Sequence, residues 1–353
     1  MNSFEWSAQC PIPMAGTAGQ VLLAHGEGAR LSRRLIRDTI TSRFRDSGSS
    51  SEFGDAAIRS LRDARIAVTT DSYTVSPLFF PGGDIGSLSI YGTVNDLVVA
   101  GAEPRWLTFS LMIEEGLPLT LLEAILESAA EAARRCSVEI IAGDTKVVPK
   151  GCVDQLFINT AGVGELVSPV PPGPAFLRPG DSIVVSGDIG RHGIAMLNAR
   201  GILQTELPVK SDSGSVQSMM HAVRQCSENA VRCVRDATRG GVSAVLHEWS
   251  EDGRVTISLE ENWIPVRREV RGACEILGLD PLYIANEGTI VIAVDSASAK
   301  AVVDLLRQVP GCEGATVIGK VCEAGSCPVT IRRAMGIDLP LDEPSGAPLP
   351  RIC

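Results

Sequence analysis

Residues 65–104, RIAVTTDSYTVSPLFFPGGDIGSLSIYGTVNDLVVAGAEP, decide the fold. Their first part, 65–75, reads as a strand. A glycine loop follows, and a helix is predicted from about residue 85 to residue 100. Gly101 and Pro104 close that helix, because glycine favours the turn after a helix and proline cannot continue one. The stretch indicates a fold that mixes strands and helices.

The same mixture continues on both sides of a proline-rich segment, SPVPPGPAFLRPGD at 168–181. Proline and glycine at this density favour a domain boundary. We therefore expect a flexible N-terminal extension, two domains of the α/β (α+β) class and an extended, mobile tail. The predicted bounds of these four parts are 1–19, 20–167, 175–338 and 339–353.

Composition limits the kinds of partner and location. The chain has 353 residues, a formal net charge of -10 and 44% hydrophobic but only 4% aromatic residues, so aliphatic side chains must build its cores. The acidic balance argues against nucleic acid or an anionic membrane as a partner. Without a secretory signal or a membrane-spanning run, we expect a cytoplasmic protein whose ten cysteines stay reduced.

Acidic turns in the N-terminal half are the first candidate for a functional site. Several follow apolar strands and stand beside glycine, so their carboxylates can converge on one cleft. Such oxygen ligands suit Mg²⁺ that is bound together with phosphates. The alternative is that each is a turn or helix-capping aspartate. The group consists of Asp55, Asp71, Asp84, Asp96 and Asp144.

Two glycine-bearing turns are candidates for phosphate binding. HGEGA at 25–29 and DATRGGV at 236–242 each place glycines just before a predicted helix. Backbone N–H groups there can hold an anion, and the helix dipole assists. Neither is a Walker motif. The alternative is an ordinary turn into a helix.

Lys146 and Glu287 form a third candidate. They lie in GDTKVVPKG and IANEGTI, two short polar segments between predicted strands. A lysine can neutralise a transferring phosphoryl group, and a buried glutamate can accept a proton. Sequence alone does not bring the two together, and two unrelated surface ions remain the alternative.

The last segment, DLPLDEPSGAPLPRIC, ends in Cys353. Prolines at 340, 344, 348 and 350 exclude regular structure and predict an extended, partly stiff arm. A terminal thiol on such an arm is typical of a tethered substrate or carrier. The alternative is an accidental cysteine at a disordered end.

Several long segments in order resemble the HypE family of NiFe-hydrogenase maturation factors, from about residue 20 to the last residue. The likeness has one departure, since Ala29 stands where that family usually has a second adjacent glycine. The segments are AHGEGARLSRRLI, TTDSYTVSPLFFPGGDIGSLSIYGTVNDLVVAGAEP, EEGLPL, AGDTKVVPKG, LFINTAGVG, RDATRGGVSAVLHE, ANEGTIV and PRIC.

The resemblance implies a two-domain fold like that of aminoimidazole ribonucleotide synthetase. It implies a homodimer that pairs through its N-terminal domains, each with ATP in a cleft lined by acidic turns. The carbamoyltransferase HypF would carbamoylate the terminal cysteine, and the chain would dehydrate that group to a thiocyanate with ATP and Mg²⁺. The cyano group would pass to iron on the HypC–HypD complex.

The resemblance also implies roles for single residues. Cys353, Lys146 and Glu287 would be catalytic. Magnesium would be held among the five aspartates of the acidic turns. The residues implied in ATP binding are Gly26, Gly28, Asp71, Gly82, Gly83, Asn95, Thr145, Asp236, Gly240 and Gly241.

Three other functions compete with this interpretation. A selenophosphate synthetase would carry a reactive cysteine followed by lysine near its first glycine loop, where this chain has His25. A ribonucleotide synthetase or a thiamine-phosphate kinase would not need the arm that ends in Cys353. A non-enzymatic scaffold could present Cys353 as a metal ligand, but it would hydrolyse no ATP.

Overall fold

The computed structural model describes residues 29–40, 55–61, 64–203, 207–226, 230–333, 335–343 and 351–352. Three predicted site residues, Gly26, Gly28 and Cys353, lie outside the described residues.

The N-terminal half forms a sheet of five described strands in the order β1-β2-β7-β5-β6. Strand β5 runs parallel to β6, and the other neighbouring pairs are antiparallel. Helices α2 and α3 pack together beside the sheet. The elements are α1 Ala29–Arg34, β1 Ala57–Leu61, β2 Ala64–Tyr73, β3 Phe79–Phe80, β4 Gly83–Asp84, α2 Ile85–Val99, β5 Ala102–Glu114, α3 Leu119–Cys136, β6 Glu139–Val148 and β7 Leu156–Leu166.

Helix α2 is the centre of this half. It begins where the Asp84 carboxylate accepts hydrogen bonds from the N–H groups of Gly86 and Ser87, and Ser87 bonds back in a capping box. It ends at Ala100, before Gly101 with φ of +89°. Most of its residues are buried on all sides, as expected for a helix enclosed by a sheet and further helices.

The C-terminal half contains seven described strands in the order β14-β13-β10-β12-β8-β11-β9, with helices on both faces. Side chains alternate along the buried strand β11, so Ile290 and Ile292 enter one core while Val291 and Ala293 enter the other. The elements are β8 Ser182–Val185, α4 Arg191–Ala199, α5 Gln217–Val223, β9 Val231–Asp236, α6 Gly241–Gly253, β10 Thr256–Glu260, α7 Arg268–Leu277, β11 Ile290–Val294, α8 Ala299–Leu306, β12 Thr316–Cys322, β13 Val329–Arg332 and β14 Asp338–Pro340.

One apolar core joins the two halves. It contains Ile85 and Val98 of α2 together with Met220 of α5 and Ile292 of β11. Burial of this shared apolar surface fixes the two sheets relative to each other, because it is the main favourable term in packing. Residues from both halves therefore meet along α2.

The tail departs from expectation at its start. Pro340 belongs to β14, where it pairs with Thr330 of β13. The expectation that Pro340 excludes regular structure is therefore wrong. The reason is that β14 is an edge strand, where a residue without an N–H group is tolerated.

The mixed α/β class predicted from the sequence is confirmed by both sheets. Throughout the part of the chain that the structure describes, no helix combines the length and apolar character needed to cross a membrane.

Candidate active site

A cavity of about 250 Å³ lies where strand β2 and helix α2 face the end of β9 and the Glu287 loop. Its polar lining comes from both halves of the chain, so it exists only when the two are packed together. The lining residues are Asp55, Thr69, Thr70, Asp71, Ser72, Tyr73, Gly92, Asp96, Arg235, Asp236, Thr238, Arg239 and Glu287.

Three carboxylates converge in this cavity. Asp55 precedes β1, Asp96 projects from α2 and Asp236 ends β9, yet one oxygen of each lies within 4.8 Å of the others. The hydroxyl of Thr69 donates a 2.8 Å hydrogen bond to Asp96 and orients it. We call Asp55, Asp96 and Asp236 the acidic triad.

The electrostatics of the triad favour a cation. Burial raises the pKa of Asp55 to about 8 and that of Asp236 to about 6, and the neighbouring carboxylates add to both shifts. Burial also raises the pKa of Asp96 well above its ordinary value, with Asp71 as the next cause. Like charges this close resist ionisation together unless a positive charge joins them.

Arg235 supplies one such positive charge. Its guanidinium forms ion pairs with Asp55 and, at 3.2 Å, with Glu248. These neighbours raise the pKa of Arg235, so it stays charged despite its burial. Arg239 also lines the cavity, but two arginines beside five carboxyl groups offset only part of the negative charge that full ionisation would create, which leaves room for a further cation.

Glu287 lines the same cavity and is 3% exposed. Its Oε1 atom finds no hydrogen-bond partner among the described residues. Burial raises the pKa of Glu287 well above its ordinary value, and Asp236 and Asp212 add to that shift. A buried, unpartnered carboxyl with raised basicity has the properties of a general base.

The backbone around Glu287 is held firmly. The Asp212 carboxylate accepts hydrogen bonds from the N–H groups of Glu287 at 3.2 Å and Gly288 at 3.1 Å. Asn95 of α2 donates to the carbonyl oxygens of Gly214 and Glu287, at 3.0 and 3.3 Å. Asn95 therefore ties α2 to this loop, and its role in ATP binding stays a prediction from the resemblance.

The other predicted metal ligands lie in different surroundings. Asp71 lines the cavity and accepts a hydrogen bond from the Tyr73 hydroxyl at 3.3 Å. The structure does not bring Asp84 into the acidic triad, because its carboxylate caps α2 and accepts a hydrogen bond from Ser128. Capping is the alternative that the sequence left open for each aspartate.

Strand β6 carries three predicted site residues away from this cavity. Asp144 aligns through Ser110 and Asn159 with Ser72, and Asp71 is the next residue on β2. Side chains alternate along a strand, so the Asp144 side chain lies on the sheet face opposite to Asp71.

Lys146 shares the face of Asp144, and Thr145 shares the face of Tyr73. Strand β6 is also three strands from β2 in the sheet, a separation of roughly 14 Å. The structure therefore does not bring Lys146 to Glu287 within one chain.

Two of the predicted glycines are required by close packing. Gly82 has φ of +100°, and a Cβ there would lie 2.9 Å from the backbone of Ser211. Gly241, which begins α6 beside Gly240, has φ of +61°, and its Cβ would meet the carbonyl of Leu282 at 2.6 Å. Gly83 lies in the β3–β4 hairpin.

The end of the described tail is seated on the protein. The Arg351 guanidinium donates to the Thr74 carbonyl at 2.9 Å, pairs with Asp154 at 2.8 Å and lies 5.7 Å from the Phe157 ring centre. Ile352 is 2% exposed. The described tail therefore ends at a buried residue, directly before Cys353 in the sequence.

Sequence reasoning missed three residues of this region. Arg235 had a signal, because it stands beside Asp236 in RDATRGG. Asp212 and Asp154 had none, since each acts through a loop or strand distant in sequence from its partner.

Comparisons with known proteins agree with this architecture. The N-terminal domain of AIR synthase related proteins matches residues 53–166, and the C-terminal domain of the same proteins matches residues 178–332. Carbamoyl dehydratase HypE of Cupriavidus necator is 42% identical over 341 residues, which cover 97% of each chain. HypE of Escherichia coli is 41% identical over 337 residues, 94% of this chain and 99% of that one.

Solved structures give the same result. The crystal structure of E. coli HypE, a hydrogenase maturation protein, has a TM-score of 0.80 at 41% identity, covering 91% of this chain and 100% of that one. A HypE–HypF complex reaches 0.80 at 41% identity, covering 86% and 99%, and HypE in complex with ATP reaches 0.77 at 40%, covering 95% and 100%. The chain therefore belongs to the HypE family of carbamoyl dehydratases, which is built from the two domains of AIR synthase related proteins.

Proposed function

We propose that this chain uses ATP to dehydrate an S-carbamoyl group on its own Cys353 to an S-cyano group, the cyanide source for hydrogenase iron. The observation that carries the proposal is the unpartnered carboxyl of Glu287, which lines one cavity with the acidic triad. The burial of Ile352, the residue that precedes Cys353 in the sequence, supports a tail that folds back onto the protein. The family relatives bear the name carbamoyl dehydratase.

The carbamoyl group loses the elements of one water molecule, and these appear in the phosphate that is formed when ATP is converted to ADP. The carbamoyl oxygen takes the γ-phosphoryl group and ADP leaves. The C–O π electrons move onto oxygen while the nitrogen lone pair forms a C=N bond, and one N–H proton leaves. The second N–H proton then leaves as the C–O bond breaks and phosphate departs, which forms the C≡N bond. Glu287 accepts a proton from nitrogen, and Lys146 offsets charge at the oxygen.

The donor set of the acidic triad fits Mg²⁺. Its three carboxylate oxygens are close enough to share one ion, and such hard oxygen ligands are those that Mg²⁺ prefers. Asp55, Asp96 and Asp236 would hold it, and Asp71 lies at the same cavity for a second contact. The ion, when bound, supplies positive charge beside the phosphates.

The predicted partners follow the same proposal. A solved HypE–HypF complex and a HypE structure with ATP support HypF as the carbamoyl donor and ATP as the cosubstrate. The HypC–HypD complex would receive the cyano group. The absence of a nucleic-acid partner, the cytoplasmic location and the bounds of the four parts of the chain stay predictions from the sequence.

A homodimer through the N-terminal sheet is part of the proposal. The sheet face that carries Asp144 and Lys146 also exposes apolar side chains, with Val68, Trp106 and Met112 exposed by 38%, 48% and 42%. A second copy would cover these side chains. It would also bring Lys146 of one copy toward Glu287 of the other copy. Within a single chain, Lys146 does not reach Glu287.

The direct test is the intact mass of the purified protein. After incubation with HypF and its carbamoyl donor, the chain is expected to gain one carbamoyl group, and added ATP should then remove one water. The variant Cys353→Ser is the matched control and should gain no adduct. A carbamoyl adduct that stays unchanged while ATP is bound to the protein contradicts the proposal.

The raised pKa values predict a pH dependence of cation binding. The triad must lose protons to hold Mg²⁺, so its affinity is expected to rise with pH as Asp236 and then Asp55 ionise, near 6 and near 8. The cation-free protein should lose stability as the pH rises from the ordinary carboxyl pKa of 3.8 to about 6 for Asp236 and to about 8 for Asp55. The reason is that the folded-state pKa values lie above the unfolded ones, so the folded state binds more protons.

Thermal melts across this pH range, with and without Mg²⁺, would measure both effects. The variant Asp55→Asn is the control and should lose the upper part of the dependence. Stabilisation by Mg²⁺ that is equal at every pH would contradict the assignment of the triad as ligands.

A further inference from the structure

We propose that His192 is a positioning residue that couples the seating of the tail to the placement of Glu287. This inference rests on the proposed function, since Glu287 acts there as the base. The imidazole is completely buried on α4, and the Phe80 ring packs perpendicular to it with ring centres 5.4 Å apart. Neither of its nitrogen atoms serves the chemistry directly.

The seated tail determines which nitrogen of His192 carries hydrogen. Nε2 lies 2.6 Å from the carbonyl oxygen of Ile352, and a carbonyl can only accept. Burial lowers the pKa of His192, so the ring is neutral and carries one hydrogen, on Nε2. The other nitrogen, Nδ1, is then an acceptor.

This tautomer determines the direction of the hydrogen bond between His192 and Ser211. The Ser211 hydroxyl lies 2.8 Å from Nδ1, and it must donate to that acceptor. Its oxygen in turn accepts the N–H of Ser213 at 2.9 Å, which closes a tight turn around Asp212. If Ile352 left, hydrogen could move to Nδ1, and Ser211 would lose its acceptor.

The turn around Asp212 also binds the loop that contains Glu287, the proposed base. The Asp212 carboxylate binds the N–H groups of Glu287 and Gly288 and, at 2.9 Å, the Thr289 hydroxyl. The backbones of Asp212 and Gly288 are in close contact, because a Cβ on Gly288 would lie 1.9 Å from the Asp212 carbonyl oxygen. A shift of the turn that contains Ser211 and Asp212 therefore moves the Glu287 backbone.

The test compares amide hydrogen exchange at Glu287 and Gly288 in four full-length proteins. Arg351→Ala loosens the seating of the tail, because it removes the side-chain contacts to Thr74, Asp154 and Phe157. The hydrogen bonds that its carbonyl oxygen accepts from Ser76 and Arg200 remain. His192→Gln keeps an N–H near Ile352 but removes the acceptor for Ser211. The set is the unchanged protein, each single variant and the double variant.

In the unchanged background, Arg351→Ala is expected to speed exchange at these two amides by about tenfold. In the His192→Gln background the same change should have an effect of less than about twofold, because the link is already broken. Ser211→Ala in place of His192→Gln should reproduce this loss of coupling. It also covers the case in which the histidine variant does not fold.

Equal acceleration by Arg351→Ala in both backgrounds would overturn the proposal, and so would no acceleration in the unchanged protein. The readout needs no catalysis. If the protein forms no thiocyanate but the coupling is present, the proposed function fails while the role of His192 stands.

Discussion

In the Glu287→Gln variant, formation of thiocyanate on Cys353 is expected to fall by about 10²–10⁴-fold, the usual contribution of a positioned general base. Glutamine matches glutamate in size but accepts no proton. The carbamoylated chain should therefore accumulate in the presence of ATP, visible by intact mass spectrometry. ATP binding should persist, since the acidic triad is unchanged.

The loss should not come from unfolding. The Glu287 carboxyl is buried, raised in pKa and surrounded by carboxylates, so a neutral amide relieves both desolvation and repulsion. We expect the melting temperature at pH 8 to hold or rise. Glu323→Gln, at an exposed position of the same half, is the matched control and should behave like the unchanged chain. Thiocyanate formed at the normal rate by Glu287→Gln would show that another group is the base.

Local patterns explain why much of the fold could be predicted. Helix α2 and all but the first residue of strand β2 lie within residues 65–104. Their signals, an apolar run, an aspartate cap and a closing glycine, are all local. The start of the tail could not be predicted in the same way. Proline at 340 is tolerated only because β14 is an edge strand, and the order of strands in a sheet is not a local property.

The candidate site shows the same division. Asp55 and Asp96 could be proposed from acidic turns beside glycine, and Asp236 only as an ATP-binding residue of the second glycine turn. The fold brings the three carboxylates together. Sequence could not separate Asp84 from them, because a helix-capping aspartate looks the same in a string of letters. Nor could it place Asp144, since a shift of one residue in strand pairing moves a side chain to the other face.

The position of Lys146 leads to the other prediction of large effect. Lys146 projects from the sheet face opposite to Asp71, and β6 is three strands from β2. If Lys146 acts on the carbamoyl oxygen, the lysine in each site comes from the second copy of the dimer. In this arrangement the base, Glu287, belongs to the same chain as the tail, because Arg351 of the tail binds Thr74 and Asp154 of its own chain.

Lys146→Ala and Glu287→Gln homodimers should each be nearly inactive. A heterodimer of the two, isolated with two affinity tags, contains one site in which an unchanged Lys146 meets an unchanged Glu287. It is expected to form thiocyanate at about half the rate of the unchanged dimer, because a symmetric dimer has two equivalent sites.

The matched control pairs an unchanged chain with a chain that carries both substitutions. When lysine and base come from different chains, each of its two sites lacks one of them, so this heterodimer should be nearly inactive. When both come from one chain, the unchanged chain keeps a complete site and the control forms thiocyanate at about half the normal rate, while the first heterodimer stays inactive. The two heterodimers therefore give opposite results for the two arrangements, and the second pattern would exclude a lysine supplied by the partner copy.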